Sequence, residues 1–289
     1  MTDQASRTIR KETGDIQVID LNSYRKRIPD MDIEKIIREV TAQVGGPTTE
    51  NVAHMPVFSP QINVTGAGRT ADIITKLEHS MLNPDLSVTK LEEAAQIARK
   101  YGVAALCVSP YFVPKAVELL RGSNVAVDAA VGFPHGAISP EAKIAEVKEC
   151  IRNGATELDV AINILAVKAE CWQDVAREFQ EITALALGKA KVKAVFEHCL
   201  YNDEEKVKTL QLVRACGVDF VKIQNMLSGK GASCEDVASV RSIIGPTVGI
   251  KIDGGVKTLA FAQELVSAGA DRIGLTATEK IANEALGRE

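Results

Sequence analysis

From Asp72 to the C-terminus the chain repeats one unit, a short apolar run followed by a helical stretch, and it does so eight times. The strand-like runs are Ile73 to Glu78, Ala104 to Val108, Val125 to Val131, Glu157 to Ile162, Lys191 to Phe196, Val218 to Gln224, Val248 to Ile252 and Asp271 to Gly274. Helical spacing separates them, as at Leu91 to Tyr101, Ala142 to Asn153, Trp172 to Leu187, Glu204 to Cys216, Glu235 to Ile244, Leu259 to Ala268 and Glu279 to Leu286. Gly102, Gly154, Gly217 and Gly269 each stand between a helix and the next strand, where a left-handed C-cap ends a helix. Eight such units in roughly 200 residues predict an α/β fold, a (β/α)8 TIM barrel. A doubly wound open sheet is the alternative, and the polar residues that alternate inside several strands count against it, because a sheet covered on both faces reads as continuous apolar runs.

Those polar residues are the second constraint. In Gly217 to Asn225 the period of two sets Phe220, Lys222 and Gln224 against Val221 and Ile223, and in Thr247 to Val256 it sets Gly249, Lys251 and Asp253 against Ile250 and Ile252. Two lysines on consecutive strands would share one interior, with Glu157 and Asp159 of the fourth strand facing them. Buried charge is retained when it is paired or used. Like-charge repulsion would favour a neutral Lys222 amine, the nucleophile that imine formation with a carbonyl requires, with Asp159 moving protons. The alternative is a Lys–Asp–Lys ion network that only holds the barrel together. Gly254 and Gly255 after the seventh strand, and Gly274 to Thr278 after the eighth, lie where barrels bind phosphate through backbone N–H groups, with Thr276, Thr278 and Lys257 to assist. The same features also read as plain turns, with Thr276 or Thr278 as an N-cap. His79, His135 and His198 fall near strand ends with Glu78 and Glu197 beside two of them, and His54 lies upstream; none has i, i+4 spacing, so no metal site is expected.

Residues 1–70 lack the repeat and are expected to form an N-terminal arm, with 71–289 as the catalytic barrel. Within the arm, Ile33, Ile36, Ile37, Val40 and Val44 predict one helix, capped by Asp30 or Asp32 and ended by Gly45-Gly46-Pro47. A net charge of −4 offers no basic footprint for nucleic acid or anionic lipid. Six scattered cysteines without a C-x-x-C, and no apolar run of about 18 residues, fit a cytoplasmic chain that neither crosses a membrane nor is secreted.

Seven segments, in order, resemble the deoxyribose-phosphate aldolases: Leu106-Cys-Val-Ser-Pro110, Val131-Gly-Phe-Pro-His-Gly136, Glu157-Leu-Asp-Val160, Lys193-Ala-Val-Phe-Glu197, Asp219-Phe-Val-Lys222, Gly249-Ile-Lys-Ile-Asp-Gly-Gly-Val256 and Arg272-Ile-Gly274. The resemblance implies a (β/α)8 class I aldolase that cleaves 2-deoxyribose 5-phosphate, or a related sugar phosphate, reversibly to glyceraldehyde 3-phosphate and acetaldehyde. It implies Lys222 as the Schiff-base lysine, Lys251 as its second lysine, Asp159 as the proton relay, and Gly254, Gly255 and Gly274 in a phosphate site. No cofactor is implied, the partner is a small sugar phosphate or aldehyde, and a homodimer or larger assembly is expected. Three positions depart from the family. Its Thr-Ser-Thr-Gly after the lysine is Ile223-Gln-Asn-Met226 here, which makes Gln224 and Asn225 candidate substrate contacts; its Asp-His-Thr is Glu78-His79-Ser80, with Glu78 a further contact; and its C-terminal tyrosine is missing from Leu286-Gly-Arg-Glu289. Two other readings stay open, a Schiff-base lyase, dehydratase or transferase on a different keto or aldehyde sugar, and a non-enzymatic phosphate-binding barrel.

Overall fold

A computed structural model describes residues 32–44, 70–225, 229, 231 and 233–288. Eight parallel strands close on themselves in chain order. They are β1 (Leu77–Met81), β2 (Ala105–Val108), β3 (Ala126–Val131), β4 (Glu157–Ala161), β5 (Lys191–Glu197), β6 (Phe220–Gln224), β7 (Gly249–Asp253) and β8 (Arg272–Leu275). The described helices are α1 (Ile33–Val44), α2 (Val88–Tyr101), α3 (Val113–Leu120), α4 (Pro140–Arg152), α5 (Ile164–Lys168), α6 (Trp172–Ala186), α7 (Asp203–Ala215), α8 (Cys234–Ile244), α9 (Leu259–Ser267) and α10 (Thr278–Ala285). This is the predicted (β/α)8 barrel.

Alternation along each strand sorts residues between two interiors. Leu158, Val160, Val221, Ile223, Ile250 and Ile252 point outward into a continuous apolar shell under the helices, where they meet Phe179, Ile182, Leu210 and Val240. Burying each such aliphatic side chain contributes about 1.5–3 kcal/mol, so this shell dominates stability. The opposite faces of the same strands point into the barrel and carry the charged groups. Direct pairing of Lys222 with Lys251 between β6 and β7 keeps both lysines on that inner face.

Local signals explain the helix ends. Ser87, Ser139, Asn163 and Thr258 each accept a backbone N–H of the helix they precede, and Asn202 and Ser233 complete capping boxes with Glu205 and Asp236. Gly102, Gly154, Gly217 and Gly269 all have positive φ, as their place between helix and strand requires. In the N-terminal segment the predicted helix is present as α1, and Asp32 Oδ1 accepts from Lys35 N at 2.7 Å. Ile36 and Ile37 are buried, and α1 lies on α6 and α7 as an added layer, with Gln180 Nε2 donating to Ile37 O at 3.4 Å. Asp30 and the rest of the expected arm lie outside the described residues.

One element differs from expectation. The first strand is not Ile73 to Glu78; Thr70–Lys76 is a 3-10 helix and β1 starts at Leu77. Ile73 and Ile74 are buried, and the 3-10 helix packs beside α10, so their apolar character serves a helical plug rather than a strand. Two adjacent isoleucines fit both, and only the pairing of Leu77 with Ile273 decides.

Beneath the barrel Arg241 of α8 ties two strand entries together. Its guanidinium donates to Gly245 O (2.8 Å), Val248 O (2.6 Å), Gly269 O (3.0 Å) and Asp271 Oδ2 (2.7 Å), and the same Asp271 oxygen accepts from Ile250 N at 2.8 Å. Arg241→Leu is therefore expected to cost about 1.5–3 kcal/mol in urea unfolding, since it strips charge-assisted bonds from carbonyls and a carboxylate together. A change below about 0.5 kcal/mol would show that water replaces the guanidinium.

Candidate active site

The inner face of the barrel is a charge network centred on Asp159. Its Oδ2 is 2.8 Å from Lys222 Nζ and 2.7 Å from Lys251 Nζ, and its Oδ1 is 3.4 Å from Lys193 Nζ. Lys222 also meets Asp253 Oδ2 at 2.6 Å. Lys251 meets Asp128 Oδ2 at 3.0 Å and a carboxylate oxygen of Glu78. Lys193 closes the lower part through Glu78 Oε2 (2.9 Å), Asp128 Oδ2 (2.9 Å) and Glu157 Oε2 (2.7 Å), and Arg272 reaches Glu78 Oε1 at 3.4 Å. Lys193, Lys222 and Lys251 are fully buried.

Lys222, Lys251 and Asp159 are thus brought together as the alternation predicted. The expected neutrality of Lys222 is not found. Burial works against its charge, but Asp159 and Asp253 outweigh both burial and Lys251, and the net effect raises the Lys222 pKa above the ordinary lysine value. Repulsion from Lys251 is present but smaller than the attraction of the two carboxylates. Burial opposes the charge of Asp159 as well, yet Lys222, Lys251 and Lys193 hold its carboxyl well below the usual range. In the resting site Lys222 is an ammonium and Asp159 a carboxylate, so an amine nucleophile arises by moving a proton between groups already in contact.

Five cations, Lys191, Lys193, Lys222, Lys251 and Arg272, face five carboxyls, Glu78, Asp128, Glu157, Asp159 and Asp253, so the network is balanced in number. The balance is not even from group to group: burial and the neighbouring Asp159 push the Asp128 pKa up to about 7 despite Lys193 and Lys251. Glu78, between the same lysines, is instead drawn down to about 2 against its burial. Sequence reading did not single out Lys193, Asp128 or Asp253 for a role, although alternation along β5, β3 and β7 puts each on the inner face.

The upper rim is more varied. Gln224 ends β6, Asn225 follows it and both are buried, but Asn225 Nδ2 donates to Asp236 Oδ2 at 3.0 Å, which ties it to the start of α8. Met226 lies outside the described residues. Gly254 and Gly255 form an exposed turn with positive φ, and a Cβ on Gly231 would come within 2.7 Å of Gly254 O, so the loops after β6 and β7 touch backbone to backbone. At Gly274 a Cβ would lie 2.9 Å from Asp253 Cγ, so glycine also makes room for the carboxylate beside Lys222. Thr276 and Lys257 are exposed on this rim. Neither Thr276 nor Thr278 caps α10, whose N-cap is Ala277; the Thr278 hydroxyl instead bonds His79 Nδ1 at 2.7 Å.

The histidines are dispersed. Burial lowers the pKa of His79 to about 4, His198 pairs with Asp236 Oδ1 at 3.0 Å, His135 is exposed and His54 lies outside the described residues. Ligand atoms of Cys107, Asp128 and Asp159 lie within 4.8 Å of one another. Two of those three are already neutralised by ammonium groups, and burial with both carboxylates pushes the Cys107 thiol well up, so the trio is a poor donor set for a cation. Over Lys222 Nζ stands the Phe133 ring, its centroid 5.0 Å away, which gives the amine one apolar wall.

A closed parallel barrel whose buried lysines share an aspartate, under an aromatic wall and beside an open glycine turn, is built for carbonyl chemistry on a small substrate. Residues 66–281 match the family model for DeoC/LacD family aldolase. A deoxyribose-phosphate aldolase of Listeria monocytogenes is 40% identical over 205 residues, which span 71% of this chain and 92% of the relative. A solved structure described as an aldolase has 32% identity and a TM-score of 0.71 over 75% of this chain and 96% of its own. The tetrameric deoxyribose phosphate aldolase of Aeropyrum pernix, at 24% identity, shares the fold with a TM-score of 0.69 over 89% of this chain and 98% of its own. The chain belongs to the DeoC/LacD family of aldolases and is a class I aldolase, a carbon–carbon lyase. Class I aldolases need no metal, and the reading as a non-enzymatic phosphate-binding barrel falls with that assignment.

The proton on Asp128 has a thermodynamic signature. Its folded value of about 7 lies above the ordinary 3.8, so its stabilising effect is complete below the ordinary value and is lost as pH rises through about 7. Asp128→Asn, which mimics the protonated carboxyl, should remove a decline of up to about 1.4 kcal/mol per pH unit between those limits. Urea midpoints across that range test it, and identical slopes in the two proteins would place the proton elsewhere.

Proposed function

We propose that the enzyme cleaves 2-deoxyribose 5-phosphate, or a closely related sugar phosphate, reversibly to glyceraldehyde 3-phosphate and acetaldehyde through an imine on Lys222. The observation that carries this is the Asp159 oxygen shared between Lys222 and Lys251 inside the barrel. Lys222 passes a proton to Asp159, and the freed amine attacks C1 of the open-chain aldehyde. Loss of water from the carbinolamine leaves the protonated imine. A base removes the proton of the C3 hydroxyl, the C2–C3 bond breaks, and its electron pair passes into the imine as an enamine while glyceraldehyde 3-phosphate departs. Protonation at C2 and hydrolysis release acetaldehyde and restore Lys222.

Lys251 stays charged throughout, since Asp128, Asp159 and Glu78 outweigh its burial. Its role is to hold Asp159 as a carboxylate and to stabilise developing negative charge. Gly254, Gly255 and Thr276, with Lys257 nearby, are assigned to the phosphate. Glu78 acts through Lys251 and Lys193 rather than on substrate, while Gln224 faces the site from one step above Lys222 and is assigned to a substrate polar group. Relatives named deoxyribose-phosphate aldolase, the sugar phosphate in their name and the open glycine turn favour this reaction over dehydration or transfer. Residues 1–70 are read as an arm and 71–289 as the catalytic unit. The assembly is read as a homodimer or larger in the cytoplasm, with the Aeropyrum pernix enzyme's tetramer as support and no described helix long and apolar enough to cross a membrane.

Lys222→Arg should keep the fold and lower turnover by several powers of ten, because a guanidinium stays protonated and cannot attack a carbonyl. Borohydride in the presence of acetaldehyde should label the wild type at one lysine and leave the variant unlabelled; a labelled variant with normal turnover would move the imine to another residue.

The family's hydroxyls after the lysine are replaced, and Asn225 is tied to Asp236, so substrate loses donors on that side. Each charge-assisted bond lost costs about 1.5–3 kcal/mol. Steady-state kinetics on 2-deoxyribose 5-phosphate should accordingly give a measurable kcat/KM below about 10⁵ M⁻¹s⁻¹, and a higher value would show that the glycine turn alone holds the phosphate.

A further inference from the structure

Outside the barrel, among the helices, lies one fully buried ion pair that the reaction does not use. Lys143 of α4 and Glu178 of α6 meet at 2.7 Å, with side chains 0% and 1% exposed. A pair so placed gains little net stability over apolar side chains of equal volume, so its position calls for another explanation. The remaining contacts of Lys143 supply it. Its Nζ donates to Ala161 O at 2.8 Å, the last residue of β4, two residues beyond Asp159. Its aliphatic stem lies directly behind Gly132, where a Cβ would fall 2.9 Å from Lys143 Cε. One turn along the same helix, Glu146 Oε2 accepts from Gly132 N at 2.7 Å. Gly132 has φ of +67° and is followed by Phe133, whose ring covers Lys222 Nζ. Beyond it, Gly136 N donates to Gly132 O at 2.8 Å, and a Cβ on Gly136 would meet Ala161 O at 2.4 Å, so the whole turn is pressed onto the end of β4.

We propose that Lys143, held by Glu178, is a positioning residue that sets the height of Phe133 over Lys222 and thereby selects the smallest aldehyde as the imine-forming donor. Lys143 fixes the end of β4 and the back of Gly132 with one side chain. The ring wall and the Asp159 strand therefore move as one unit, and the ring, 5.0 Å from the amine, crowds the space beside it, where a methyl group is accommodated more readily than a longer chain. This rests on Lys222 as the imine lysine, and the test separates the two claims.

The wild type is compared first with Lys143→Met combined with Glu178→Leu, which replaces the pair by apolar volume and leaves no buried charge alone. Labelling of Lys222 by borohydride is followed with acetaldehyde and with propanal, normalised to folded protein by circular dichroism. The double variant is expected to label about tenfold more slowly with acetaldehyde, as a displaced wall misaligns the attack, and its acetaldehyde-over-propanal ratio should narrow several-fold. Phe133→Ala should narrow the ratio in the same direction. A folded double variant with the wild-type rate and ratio overturns the proposal, as does one in which both donors slow equally. If the double variant does not fold, Gly132→Ala leaves the ion pair in place but forces a methyl against Lys143, and its ratio is read in the same way. A wild type that no aldehyde labels would instead overturn the imine on Lys222 itself.

Discussion

Asp159 Oδ2 lies within hydrogen-bond reach of two ammonium groups at once, and much of the inner structure follows from keeping that arrangement solvated by protein instead of water. An ammonium taken out of water costs several kcal/mol unless acceptors surround it. Here each lysine has at least two carboxylate partners, supplied by strands β1, β3, β4 and β7. Only a closed barrel can aim side chains from so many strands at one point. The fold is thus a requirement of the charge cluster as much as its container, and the apolar shell outside the strands supplies the stability that the cluster does not.

Reactivity follows from a carboxyl that titrates near neutrality. Asp128, pushed up to about 7, shares Lys251 with Asp159, so a proton leaving Lys222 meets acceptors that are already linked to one another and creates no isolated charge. Low effective dielectric strengthens each of these couplings. The same coupling explains why a high pKa for resting Lys222 is compatible with its use as a nucleophile. What matters is the free energy of exchanging a proton across a short contact, and that is set by the pair together.

Much of this was legible in the chain. The period of two placed Lys222, Lys251 and Asp159 on one face, and glycines between helices and strands marked the loops. Four things were not legible. Ile73 and Ile74 fit a strand or a helical plug equally, because two adjacent apolar residues carry no period. The sign of the Lys222 shift depends on Asp253 and Asp159 being nearer than any sequence spacing reveals. That Gly274 also makes room for the Asp253 carboxylate, and that the Asn225 amide also bonds Asp236, shows only in the folded chain. In each case the missing information was a distance between residues that no local period relates.

Gly274 and Asp253 form a lock with a direction. While the aspartate is in place, a methyl added at position 274 would press on its carboxyl group and force it to shift. The glycine, in contrast, leaves room for any smaller neighbour at 253. A side chain at 274 therefore acts on Lys222 without touching it, by moving one of the two anions that hold it. The corner between β7 and β8 works as a one-way lever: bulk added at Gly274 is felt at Lys222, whereas bulk removed at Asp253 is not felt at Gly274.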